Sequence, residues 1–154
     1  MPANAKPLFI LNGPNLNRLG KREPAVYGTT TLAEIEAACR VEAGTRPIVF
    51  RQSNSEAQLI DWIHEAGREV AAGSLVGIVF NAGAFTHTSL ALHDAIKGAG
   101  VPVIEYHISN VHAREAFRHH SWLSPAAKGV LVGLGVRGYA LGIEALLLVT
   151  QAKG

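Results

Sequence analysis

The sequence has a single cysteine, Cys39, so no disulfide can close within its 154 residues, and a reducing compartment is the expectation. Cys39 shares the apolar face of a helical pattern with Ile35, which reads as core. Long hydrophobic runs are missing as well: nothing approaches the roughly 20 apolar residues of a membrane span, and residues 1–6 lack the apolar stretch of a signal peptide. A soluble cytoplasmic chain with no membrane partner is expected. Charge is scarce, with 14 basic and 12 acidic residues leaving a formal +2 and no long basic stripe. Nucleic acid is therefore not an expected partner. Seven histidines are present, yet no metal-binding set assembles around them. His64-Glu65 lacks the second histidine of a zincin motif, His119 and His120 would face apart on a helix, and no carboxylate or thiol cluster completes a site. No metal is expected. Nor is there a nucleophile elbow, a Walker loop, an internal repeat, a linker or a low-complexity segment. Residues 133–138 spell the dinucleotide fingerprint G-x-G-x-x-G, but too little chain remains for a second strand or for an acidic residue about 20 positions on. They read as a tight turn with close helix packing.

What is present is 48 % hydrophobic content, enough for one domain over residues 1–154 to close a core without staples. Continuous apolar runs at residues 8–11, 48–50, 76–80, 103–106 and 130–132 are those of strands covered on both faces. Helical patterns lie between them. Thr31 with Glu34 has capping-box spacing and opens a helix ending near Gly44, and Ser55 with Gln58 does the same for a helix carrying Leu59, Ile63 and Val70. Further helices are expected over residues 89–99, briefly after Asn110, and over residues 137–152. Such βα alternation predicts an α/β fold, a flavodoxin-like three-layer sandwich around a five-stranded parallel sheet.

In open parallel sheets ligands bind beyond the carboxyl ends of the strands, near the point where strand order reverses. That rule picks out Asn15 and the loop behind it after the first strand, Asn81 to Ser89 after the third, and His107 to Asn110 after the fourth. The loop after Asn15 sets one phenol, Tyr27, among Arg18, Lys21 and Arg22. A phenol has a pKa of about 10, so acting as a base near neutrality requires that the site favour the phenolate by roughly 4 kcal/mol. One guanidinium at about 4 Å supplies about that much at an effective dielectric of about 20. Arg22 and Arg18 are thus candidate activators and Tyr27 a candidate general base. Local positive charge on this loop points to a small anion. Main-chain N–H groups of Ile108 and Ser109 form a candidate cradle for a carboxylate or phosphate, toward which Arg114 and Arg118, one helical turn apart, can point. Glu105 and His107, two apart on a strand, share a sheet face.

The motifs Gly13-Pro14-Asn15-Leu16, Arg22-Glu23-Pro24 through Tyr27-Gly28, Arg51-Gln52-Ser53-Asn54-Ser55-Glu56, Asn81-Ala82-Gly83, Thr86-His87-Thr88-Ser89 and Glu105-Tyr106-His107-Ile108-Ser109-Asn110 follow one another along the chain. In that combination the sequence resembles the type II 3-dehydroquinate dehydratases over about residues 8–150. The resemblance implies cofactor-free, reversible dehydration of 3-dehydroquinate to 3-dehydroshikimate by subunits assembled as a homododecamer of trimers. It makes Tyr27 the base that removes the proton beside the ketone and Arg22 its activator. Asn15 would hold a water against the enolate oxygen, and His107, with Glu105 beside it, would protonate the departing hydroxyl. Asn81, His87 and Arg118 match contacts to substrate hydroxyls, and the N–H groups of Ile108 and Ser109 match contacts to its carboxylate. Asp94 matches a residue that reaches a neighbouring subunit's site, and Arg114 a recurrent basic position. Phe85 and Trp122 stand where tyrosine is common, and the connection over residues 42–47 is shorter than the family pattern. The reading that competes is a non-catalytic flavodoxin-like module binding FMN or a phosphorylated ligand, which the anion cradle alone would also permit.

Overall fold

The computed structural model describes residues 5–21 and 23–151, apart from the side chains of Val26 and Tyr27. Five strands, β1 (Leu8–Asn12), β2 (Ile48–Gln52), β3 (Ile78–Asn81), β4 (Val103–His107) and β5 (Gly129–Val132), form one sheet in the order β2-β1-β3-β4-β5. Every pairing is parallel. Parallel neighbours need crossovers: α2 (Leu32–Ala43), α3 (Glu56–Ala71) and α4 (Leu90–Ala99) supply the first three, short 3-10 turns link β4 to β5, and α5 (Gly138–Thr150) follows the last strand. A four-residue α1 (Pro24–Tyr27) sits in the loop after β1.

Alternation along the strands sorts the core into two layers. Leu8, Ile10, Val79, Ile104 and Tyr106 pack with α2 and α5, whereas Phe9, Leu11, Ile78, Phe80 and Val103 pack with α3 and α4. Both layers are sealed over β1, β3 and β4, which are buried throughout. The edge strands differ from the expectation of cover on both faces: β2 is mostly half-buried and Val130 of β5 is 42 % exposed, because an edge strand has a neighbour on one side alone. Cys39 belongs to the first layer and is 1 % exposed. Two helix starts follow the capping chemistry read from the sequence, Thr31 accepting from the N–H of Glu34 and Ser55 from Gln58, and Ser89 caps a third by accepting from the N–H of Leu92.

Three local expectations differ from the structure. The third strand begins at Ile78 and runs on through Asn81, because Val76 pairs through its N–H with the carbonyl of Pro7, ahead of the ladder. The brief helix after Asn110 is a single 3-10 turn, Val111–Ala113, followed by extended Arg114 and a second turn, Ala116–Arg118. His119 and His120 accordingly lie past that turn and on no helix. The glycines at 133–138 behave as a turn with close packing: Gly133 and Gly135 have φ of 84° and 70°, and a Cβ on Gly138 would lie 2.3 Å from the Tyr106 hydroxyl.

Candidate active site

Strand order reverses between β1 and β3, and a cleft of about 480 Å³ opens at the carboxyl ends of those strands and of β4. On the β1 side, Gly13 donates to the carbonyl of Asn81 at 2.8 Å, and a Cβ at Gly13 would lie 2.2 Å from the carbonyl oxygen of Ala82. Only glycine lets the two strand ends come so close. The chain then turns through Asn15 at φ 68°, a left-handed conformation that asparagine tolerates well, and the Asn15 N–H donates to Oδ1 of Asn54 at 3.0 Å. Gln52 Nε2 donates both to that same Oδ1 and to the carbonyl of Gly13, each at 3.1 Å. The segment after β2 thus holds the Asn15 turn in place.

On the β3 side, Asn81 is 3 % exposed and lines the cleft. Its amide is oriented by the fold: Oδ1 accepts from the N–H of Gly83 at 3.1 Å, while Nδ2 donates to the Tyr139 hydroxyl at 2.8 Å. Tyr139 passes its own proton to Oδ1 of Asn12 at 2.7 Å. One N–H of Asn81 therefore remains for the cleft, which makes it a donor toward a bound hydroxyl. His87 follows in a 3-10 turn, its Nδ1 2.8 Å from the carbonyl of His120. That carbonyl fixes the proton on Nδ1 and leaves Nε2 free. Burial, with smaller contributions from His107 and Arg118, holds the His87 ring below the usual histidine pKa.

On the β4 side, Glu105 and His107 occupy the same sheet face and meet at 2.5 Å between Oε2 and Nε2. Burial pushes the Glu105 carboxyl up, but hydrogen bonds from His107, Ser124 and Ser121 and the His107 charge outweigh it and hold its pKa at about 2. An ionised carboxylate accepts, so Nε2 of His107 carries the shared proton and Nδ1 is the nitrogen Glu105 leaves unengaged. The rings of His87 and His107 stack with centroids 6.3 Å apart. The ladder between β4 and β5 stops at His107 and Val132, so the main chain of Ile108 and Ser109 runs on past the sheet into the cleft wall.

The two arginines reach the cleft from separate turns and not from one helix. Glu115 joins them, 2.7 Å from Nε of Arg118 and 3.9 Å from Nε of Arg114, and Arg114 also donates to Ser109 Oγ at 3.2 Å. Asn15, Asn81, His87, His107 and the Ile108-Ser109 main chain are thus brought together with Arg114 and Arg118. Glu105 stands behind His107, facing a second cleft of about 670 Å³. Asp94 is exposed on α4, away from this chain's own cleft. Arg22 and the side chain of Tyr27, the expected activator and base, lie outside the described residues. Sequence reasoning missed Tyr139, Glu115, Thr86, Ser121 and Ser124. Of these only Thr86 stood inside a segment that the strand-end rule selects.

The family model for dehydroquinase class II matches residues 6–147. Among curated proteins, 3-dehydroquinate dehydratase 2 of Ralstonia nicotianae is 70 % identical and the match covers 95 % of this chain and 96 % of that one. The 3-dehydroquinate dehydratase of Variovorax paradoxus is 66 % identical, with 92 % and 99 % covered. Among solved structures, the type II dehydroquinase of Propionibacterium acnes superposes with a TM-score of 0.84 at 40 % identity, covering 95 % of this chain and 97 % of that one.

Proposed function

The chain belongs to the class II dehydroquinase family, and from that premise we propose how its cleft divides the work of turning 3-dehydroquinate into 3-dehydroshikimate. The activity is that of a type II 3-dehydroquinate dehydratase, a hydro-lyase of the shikimate pathway. A flavin carrier is not favoured, since relatives bearing the dehydratase name match nearly the whole chain.

The chemistry sets two tasks. A proton must leave a carbon next to a ketone, and hydroxide, a poor leaving group, must depart from the adjoining carbon. Tyr27, as phenolate beside Arg22, takes the first proton, and the electron pair left behind delocalises onto the ketone oxygen as an enolate. Asn15 holds a water against that oxygen, where negative charge develops. When the enolate collapses, the carbon–oxygen bond breaks and His107 gives its proton to the departing hydroxyl, which leaves as water. Asn81, His87 and Arg118 hold substrate hydroxyls. The N–H groups of Ile108 and Ser109 take the carboxylate, with Arg114 adding positive charge. Asp94 serves the site of a neighbouring subunit in a homododecamer of trimers. A cytoplasmic location fits this chemistry, and among the described residues no helix is long and apolar enough to cross a membrane.

The observation that carries this reading is the ionised Glu105 held 2.5 Å from His107, whose ring lines the same cleft as Asn15, Asn81 and Arg118. The test is turnover of 3-dehydroquinate, followed by absorbance of the conjugated enone. Tyr27→Phe and His107→Ala should each lower kcat by about 10²- to 10⁴-fold. Tyr27→Phe should also abolish hydrogen exchange at the acidic carbon in heavy water, read by NMR. Wild-type exchange in that variant would mean that another group takes the proton.

A further inference from the structure

A buried carboxylate beside a proton donor has two stable states, carboxylate with imidazolium or carboxylic acid with neutral imidazole, and only the first leaves the ring ready to act as an acid. What decides between them is the set of donors on the carboxylate's remaining lone pairs. Glu105 is 1 % exposed and its oxygens are surrounded by hydroxyls. Oε1 accepts from Ser124 Oγ at 2.5 Å, and Oε2 accepts from Thr86 Oγ1 and Ser121 Oγ, both at 2.8 Å.

The direction of these bonds follows from counting. Ser121 Oγ already accepts from the N–H groups of Leu123 and Ser124, each at 3.1 Å, so both its lone pairs are occupied. It has only its proton to offer. Thr86 lies 2.8 Å from the same Oγ but finds no acceptor there, so its proton goes to Glu105. The turn that opens Ser124–Ala126 therefore builds the donor set before substrate arrives.

We infer that the hydroxyls of Thr86, Ser121 and Ser124 are positioning residues for leaving-group protonation: they keep the shared proton on the imidazole and fix the ring so that Nδ1 is left for the substrate. The inference rests on the reading of His107 as the acid. Each hydroxyl acts through Glu105 and touches no reacting atom.

Thr86→Val removes one hydroxyl at nearly constant shape, and Ser124→Ala removes the hydroxyl that, among the described residues, Oε1 accepts from. Each should lower kcat by about tenfold, the size expected for one hydrogen bond to a charged group, while KM changes little. The alkaline limb of the kcat–pH profile should move toward alkaline pH, because a carboxylate stripped of one donor holds the shared proton more tightly. Ser124→Thr, which keeps the hydroxyl, should restore most of the rate. In a Glu105→Gln background the Ser124→Ala change should add little, because the group it acts through is already altered. A loss that is uniform across pH, or that is undiminished in the Glu105→Gln background, would make these residues folding devices and overturn the inference. If His107→Ala keeps wild-type kcat, the reading of the acid has failed and takes the clamp with it. If His107→Ala is inactive while Thr86→Val and Ser124→Ala match wild type, the clamp alone is wrong.

Discussion

A carboxylate sealed from water is costly to keep ionised, and Glu105 stays ionised because its lone pairs are matched by His107 on its own strand and by hydroxyls from two other segments of the chain. Burial raises its pKa, the His107 and serine hydrogen bonds lower it, and the balance moves it from an ordinary 4.5 to about 2. A depressed carboxyl stabilises the fold fully above its ordinary value, and that contribution drains away as pH falls from 4.5 through about 2. Glu105→Gln should therefore lower the thermal midpoint at neutral pH, with the gap to wild type closing as pH drops through that window. Midpoints measured against pH for both proteins check this; a gap that stays constant would contradict it. The pairing of Glu105 with His107 was legible from their spacing, since residues two apart on a strand share a face. The hydroxyls were not. Ser121 and Ser124 lie 16 and 19 residues beyond Glu105 in a loop without periodicity, and Tyr139 meets Asn12 across 127 residues. No local pattern encodes contacts of that range.

At the scale of elements, most of the architecture could be read because the three helices between strands, α2, α3 and α4, each start on a capping side chain, whereas α5 starts without one. Ser89 accepts from the N–H of Leu92 at 2.9 Å and opens α4 directly behind the His87 turn. Ser89→Ala should cost about 1 kcal/mol of stability, measured as a fall in the denaturation midpoint at matched protein concentration. A midpoint unchanged within error would show that water replaces the cap. The stretch between β4 and β5 was the least legible. It consists of single turns pinned by main-chain bonds to distant segments, Trp122 to Thr86 and Lys128 to Val103, both at 2.8 Å. Sequence spacing therefore put Arg114 and Arg118 near one another but supposed the wrong geometry, a continuous helix.

At the scale of the whole molecule, the order β2-β1-β3-β4-β5 sets the cleft where sheet and loops diverge, which is why the strand-end rule found it. The same view leaves large apolar side chains outside: Leu148 on α5 is 77 % exposed and Phe117, beside the cleft arginine Arg118, is 70 % exposed. Such surface is expected to be covered by other copies. Light scattering of the purified protein should therefore report a trimer-based oligomer, and a monodisperse active monomer would contradict it. Cys39, sealed between α2 and the sheet, has a further use. Burial, reinforced by Glu36, pushes its thiol up to about 12, so in the closed state it offers almost no thiolate to an alkylating reagent. Labelling must wait for α2 to lift away. With reagent in large excess, the rate of modification should level off at the opening rate of that layer, so the chain's one sulfhydryl becomes a clock for the opening of this side of the sheet.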